Sequence, residues 1–336
     1  SVFCNSGSSA NLLMLYALKE GGYLKNDKVV VPSVAWATDL SPVIQLGLQP
    51  LLCDSNFQDL SADLEHLEKI FIKESPSALM FVSVLGLVPD MERVVELCSK
   101  YNVILLEDTC ESMGCEYKGR KLGTFGKMSS FSTFFGHHIS TIEGGIITTD
   151  DKDMYELLVA IRSHGWDRDL SKETQVKLQK EWDVTEFNSL YTFYYSGFNM
   201  RSTDLQAYIG LTQIDKLEDW GKKRESNYNQ YQSLIQNDYW KPKSYTDSFT
   251  SNFAYPVIHP KREEIVKNLQ ENKVEVRPMI CGSMGTQPFY VKHYGELKLP
   301  NVSVIDKYGF YVPNNPKLSS EEILFISNII NEKITK

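Results

Sequence analysis

Nothing in this 336-residue chain stays apolar for long enough to cross a membrane. Its longest apolar run, "ALMFVSVLGLV" at 78–88, is about half the ~20 residues that a spanning helix needs. A basic balance is missing too. With 35 Lys and Arg against 43 Asp and Glu, the formal charge of −8 argues against nucleic acid as a partner. Cysteines are few and scattered: Cys4, Cys53, Cys98, Cys110, Cys115 and Cys281. Only Cys110 and Cys115 are close, and no second pair completes a zinc or iron–sulfur set, so no metal is expected. Reduced thiols are the better reading. No charged-then-apolar leader opens the chain, and a cytoplasmic protein is expected.

Short apolar strands alternating with helices are what the chain does have. "DKVVVPSV", "PLLCDS", "SALMFVSVLG" and "VILLEDTCES" read as strands, with helices such as "DLEHLEKIFIKES" and "DMERVVELCSKYN" between them. Strands of continuous Val, Ile and Leu are buried on both faces, which predicts a mainly parallel α/β sheet sandwiched by helices. Beyond "IITTD" the style changes. Residues 166–196 are aromatic, polar and irregular, and predict a surface excursion or lid. The stretch "STDLQAYIGLTQIDKLEDWGKKRESNYNQYQSLIQ" predicts one long helix, capped by Ser202 or Thr203. A large domain over 1–221 and a small α+β domain over 222–336 are expected.

Four places carry candidate chemistry. "SGSSAN" lies between a strand and a helix, where Gly7, Ser8 and Ser9 would present amides and hydroxyls to an anion; a plain helix cap reads the same way. "LLEDTCES" ends a buried strand with Glu107, Asp108 and Glu111, acids that are costly there unless paired. Such a carboxylate either keeps a pyridine nitrogen protonated or simply reaches solvent. Trp36 would cover a flat ring or belong to the core. The fourth is "SSFSTFFGHHISTIEGG", where two adjacent histidines follow a strand and precede paired glycines. Zinc is a poor account of His137 and His138, because neighbouring side chains splay apart and no further ligand is suitably spaced.

Together with "GFNMRSTDLQAYIG", these segments resemble the sugar aminotransferases of the DegT/DnrJ/EryC1/StrS family, which are fold-type I pyridoxal phosphate proteins. The likeness covers nearly the whole chain, in family order. By comparison, a segment that usually precedes "SGSSAN" is expected to be missing. The resemblance implies that Gly7, Ser8 and Ser132 hold the cofactor phosphate, Trp36 stacks on the ring, Asp108 pairs with the pyridine nitrogen and Glu111 reaches the ring hydroxyl. It also implies a homodimer, with Asn199 completing the phosphate site from the other subunit.

One departure from the family pattern stands out. Five residues after Ser132 the family has a lysine, and this chain has His137. Imidazole cannot form the lysine's imine with the cofactor, yet it remains a base or acid near neutral pH. The cofactor, pyridoxal or pyridoxamine 5′-phosphate, would then be held without a covalent bond. A branch of the family carries this replacement: sugar 3-dehydratases that act on nucleotide-linked 4-keto-6-deoxyhexoses, GDP-4-keto-6-deoxymannose among them, in 3,6-dideoxysugar biosynthesis. That branch implies L-glutamate as amino donor, His137 as the proton-transfer residue and loss of the C3 hydroxyl. His138 is given no catalytic role. A related branch with an iron–sulfur cluster needs clustered cysteines after the His-His turn, and only Cys281 lies beyond residue 115. An aminotransferase working without its lysine is the runner-up, and a non-catalytic relative is the alternative of a different class.

Overall fold

The computed structural model describes residues 1–334. Its centre is a seven-stranded sheet of β1 (Val2–Cys4), β2 (Lys28–Pro32), β3 (Gln49–Cys53), β4 (Ala78–Val82), β5 (Ile104–Asp108), β6 (Met128–Ser132) and β7 (Gly145–Thr148). The order across the sheet is β1-β7-β6-β5-β4-β2-β3. From β3 to β6 neighbouring strands run parallel. β7 lies antiparallel to both β6 and β1. All five residues of β4 are buried, as a run of "ALMFV" requires when helices cover both faces. Removing one of its large side chains, Phe81→Ala, costs about 3–5 kcal/mol.

Helices α1 (Gly7–Glu20), α2 (Ala37–Gln45), α3 (Leu64–Glu74), α4 (Met91–Lys100) and α5 (Lys152–Arg162) flank the sheet. α1 packs on β6, β7, α2 and α5, which is why it buries Leu13, Met14, Leu15 and Leu18 together. The expected mainly parallel, helix-covered sheet is therefore present.

Two local expectations change. The stretch expected as one long helix is two, α6 (Asp204–Leu211) and α7 (Leu217–Leu234), separated by a 3₁₀ turn at Ile214–Lys216. Thr203 caps α6 through the amide of Gln206. Segment 166–196 is ordered rather than irregular. It holds helices Lys172–Glu181 and Glu186–Ser189, and Trp166 stacks on Phe193 with Arg168 over the Trp166 ring. Aromatic stacking, which has no sequence period, and side-chain hydrogen bonds such as Gln179 to Asp167 and Arg168 to the Leu190 carbonyl tie it together.

Beyond α7, strands β8 (Ala254–Ile258), β9 (Arg277–Pro278) and β10 (Gly309–Pro313) form an antiparallel sheet in the order β8-β10-β9. Helices α8 (Arg262–Glu271) and α9 (Ser320–Ile334) pack against each other beside it. Arg224 on α7 is buried and donates to the carbonyls of Phe253 and Asn314. That ties the start of β8 to the end of β10. The chain just before β8 is thereby fixed where the large sheet ends.

Candidate active site

The cofactor-type cleft is built at the C-terminal ends of the parallel strands, the usual place for ligands of open α/β sheets. It has a volume of about 460 Å³ and is lined by Gly7, Ser8, Trp36, Asp108, Glu111, Ser132 and His137. Seven of the eight residues to which the family resemblance gives a role thus share one cavity. Asn199 does not: it is exposed elsewhere, bridged through its backbone to Ser163. A larger cleft of about 850 Å³, walled by Lys121, Phe131, Gly221 and Phe249, holds none of these residues.

One end of the cleft is the start of α1. Ser6 caps the helix, its hydroxyl oxygen accepting the Ser9 amide at 3.0 Å. The amides of Gly7 and Ser8 belong to the first turn, where no intrahelical acceptor exists, so they suit an anion. Ser132 enters from the end of β6, and the contact is tight. A Cβ on Gly7 would stand 2.8 Å from Ser132 Cβ and 3.0 Å from Cys110 Sγ. Of the paired glycines, Gly145 serves the same approach, because a side chain there would strike the backbone of Ser6, while one on Gly144 would strike the Thr133 and Thr141 hydroxyls.

β5 delivers the acids, and strand alternation separates them. Glu107 points away from the cleft and accepts the amides of Gly123, Phe125 and Gly126, a structural task. Asp108 faces the cleft, with Oδ1 accepting the Cys110 amide at 2.8 Å and Oδ2 accepting Asn11 Nδ2 at 2.6 Å. Glu111 accepts the Leu85 amide at 2.8 Å. Burial pushes the Glu111 carboxyl up to about 7 against that hydrogen bond, with some help from the charge of Asp108. Trp36 precedes α2 and is largely exposed at the cleft wall, so it is not core.

His137 lies on the turn after β6, its amide donating to the Phe134 carbonyl at 2.9 Å. Its ring packs 5.1 Å from the Phe253 ring, and Nδ1 is buried without a hydrogen-bond partner in the protein. Burial lowers its pKa to about 4, although the Asp108 charge pulls the other way. The ring is thus neutral at pH 7. His138 does not line the cleft and is buried, with Nε2 2.7 Å from the Ser251 carbonyl oxygen. A carbonyl only accepts, so Nε2 carries the hydrogen.

Residues 1–331 match the DegT/DnrJ/EryC1/StrS aminotransferase family. The chain belongs to that family. A GDP-4-keto-6-deoxy-D-mannose 3-dehydratase from Yersinia pseudotuberculosis is 33% identical, over 99% of this chain and 86% of its own. Among solved structures, a GDP-4-keto-6-deoxymannose-3-dehydratase carrying a histidine-to-asparagine substitution, with GDP-perosamine bound, has a TM-score of 0.89 at 31% identity. The same enzyme with a trapped PLP–glutamate geminal diamine has a TM-score of 0.88 at 31% identity. Each of these alignments covers 98% of this chain and 87% of the other.

The residues present fit the cofactor of this family. The unpaired amides at the start of α1 and Ser132 leave room for an anion that a side chain at position 7 would fill, Asp108 offers a carboxylate held by two hydrogen bonds, and Trp36 offers a flat wall. The turn after this strand presents an imidazole, His137, to the cleft. Asn11 and Asp39 line the same cleft and were not singled out in the sequence. The one signal was a polar residue, Asn11, inside the apolar stretch "ANLLML".

Proposed function

We propose that this protein is a pyridoxal/pyridoxamine phosphate-dependent 3-dehydratase. Its substrate is a nucleotide-linked 4-keto-6-deoxyhexose, GDP-4-keto-6-deoxymannose in the first instance, and L-glutamate is the amino donor. The observation that carries this reading is the His137 imidazole lining the cleft, at the place where the family pattern has lysine.

When bound, the cofactor supplies an amine for the sugar ketone and an electron sink. The chain's own residues do the rest. Gly7, Ser8 and Ser132 hold the phosphate, and Trp36 covers one ring face. Asp108 would pair with the ring nitrogen, and Glu111, its carboxyl pushed up to about 7 by burial, would reach the ring oxygen. His137, uncharged at pH 7, would take up a proton and, once protonated, return it to the departing C3 hydroxyl, which leaves as water. A lysine, with its higher unperturbed pKa, would be charged there unless strongly desolvated.

The working unit in this reading is a homodimer. On α6, Leu205, Tyr208 and Leu211 are 69%, 68% and 69% exposed, an apolar face that a lone soluble chain rarely leaves open. That helix is bolted to the catalytic turn: Gln206 Nε2 donates to the Glu143 carbonyl and Gln213 Nε2 to the Ser140 carbonyl, both at 2.6 Å. A partner on this face would stand beside the cleft mouth, and its Asn199 would complete the phosphate site. Six free cysteines fit a reducing, cytoplasmic setting. Among the described residues no helix is long and apolar enough to cross a membrane.

The test is incubation with pyridoxal phosphate, L-glutamate and GDP-4-keto-6-deoxymannose, followed by the mass of the sugar nucleotide. Loss of one oxygen with release of ammonia is expected. A gained amine with the oxygen retained would make the protein a transaminase instead.

A further inference from the structure

The cleft contains a second buried acid. Asp39 on α2 and Asn11 on α1 are both buried. Asn11 Nδ2 donates to Asp39 Oδ1 at 3.1 Å and to Asp108 Oδ2 at 2.6 Å. Its Oδ1 accepts the Ser130 hydroxyl at 2.6 Å, which fixes the way the amide faces. The other oxygen of Asp39 accepts the Trp36 amide at 2.9 Å. A continuous chain of hydrogen bonds therefore runs from the backbone of the aromatic wall, through Asp39 and Asn11, to Asp108.

We propose that Asn11 and Asp39 are positioning residues that fix the orientation and charge of Asp108 toward the cofactor's ring nitrogen. The proposal rests on the role given to Asp108 above. An amide nitrogen has two hydrogens; the one toward Asp108 makes the short contact at 2.6 Å, and the other is shared between Asp39 Oδ1 at 3.1 Å and the Thr38 carbonyl at 3.3 Å. With Oδ1 held by the Cys110 amide and Oδ2 by Asn11, the Asp108 carboxylate cannot rotate, and a remaining lone pair is left to meet an N–H in the cleft.

Two carboxylates joined through one buried amide do not both ionise cheaply. Burial first, and then the charge of Asp108, push Asp39 well above the usual carboxylate range. The neutral form of Asp39 is therefore favoured. The other titratable groups facing Asp108 are Cys110 and Glu111 on its own turn and His137 on the turn after β6. Burial favours the neutral form of each.

The test reads the ring nitrogen itself. Holoenzyme is prepared with pyridoxal phosphate carrying ¹⁵N in the ring, and the nitrogen shift is followed against pH by NMR. Wild type is compared with Asn11→Ala, Asp39→Asn and Asp108→Asn, with circular dichroism checking that each variant is folded. The pH at which the nitrogen loses its proton is expected to fall by about one unit in Asn11→Ala and Asp39→Asn, and further in Asp108→Asn. Asp39→Asn keeps the side-chain volume and carries the test if Asn11→Ala does not fold. Wild-type titration in both Asn11→Ala and Asp39→Asn, beside a lowered value in Asp108→Asn, overturns the proposal and leaves the role of Asp108 standing. Wild-type titration in Asp108→Asn overturns both.

Discussion

His138 Nε2 sits 2.7 Å from the Ser251 carbonyl oxygen, across 113 residues of sequence. This contact gives two adjacent histidines different work. Ser251 is buried at the start of the loop that Arg224 holds, and two residues later Phe253 provides the face on which His137 rests. Fixing His138 therefore fixes the platform of its neighbour.

His138→Ala removes a buried ring and leaves the Ser251 carbonyl without that donor. A loss of about 2–4 kcal/mol of stability is expected, read as a lower midpoint in urea denaturation. His138→Asn keeps a donor and should recover part of it. An alanine variant with an unchanged midpoint would show that the contact contributes nothing.

His137 yields a prediction with a sign. Its folded pKa, about 4, lies below the ordinary value of 6.5 because burial opposes the charge. The unfolded chain therefore binds more protons between those pH values. Stability from this group is fully present above pH 6.5 and is lost as pH falls through about 4. His137→Asn should flatten that part of the stability–pH profile, measured as urea midpoints at pH 7, 5.5 and 4.5. The same variant should lower the rate of C3 deoxygenation by about 10²- to 10⁴-fold, the usual contribution of a positioned proton-transfer group. Near-wild-type turnover in His137→Asn would remove the residue from the mechanism.

The sheet was readable from sequence because burial on both faces forces continuous apolar runs, as in β4 and β5. The start of α1 was readable because capping is local: Ser6 and Ser9 are three residues apart. His137 was legible only against a family pattern, since nothing in its neighbours distinguishes a base from a bystander. Asn11 and Asp39 were missed because their roles exist only once α1, α2 and β5 meet, and 97 residues separate Asn11 from Asp108. The break between α6 and α7 was missed for a different reason. Gln213 leaves the helical pattern to hold Ser140, a long-range contact that no local propensity signals.

The exposed face of α6 supplies a further test. Tyr208→Glu places a charge in the middle of the apolar patch, at a residue that does not line the cleft. Sedimentation should show a dimer becoming a monomer, at a cost in cofactor retention if a partner's Asn199 completes the phosphate site. A wild-type chain that sediments as a monomer would rule the dimer out.

Gly7 offers the sharpest test of the phosphate cradle. No positive φ demands glycine here; space does. An added methyl would lie 2.8 Å from Ser132 Cβ, closer than real Cβ contacts allow, so the start of α1 and the end of β6 must move apart. Both carry groups assigned to the phosphate, and a shift of a few tenths of an ångström lengthens every hydrogen bond they make to it. Gly7→Ala should therefore weaken pyridoxal phosphate binding by about tenfold or more, the equivalent of one lost hydrogen bond to a charged group. Pyridoxal, which lacks the phosphate, should bind the variant and the wild type equally. Equilibrium dialysis with both compounds separates the two cases. A matching loss for pyridoxal would mean that the methyl disturbs the ring site rather than the cradle.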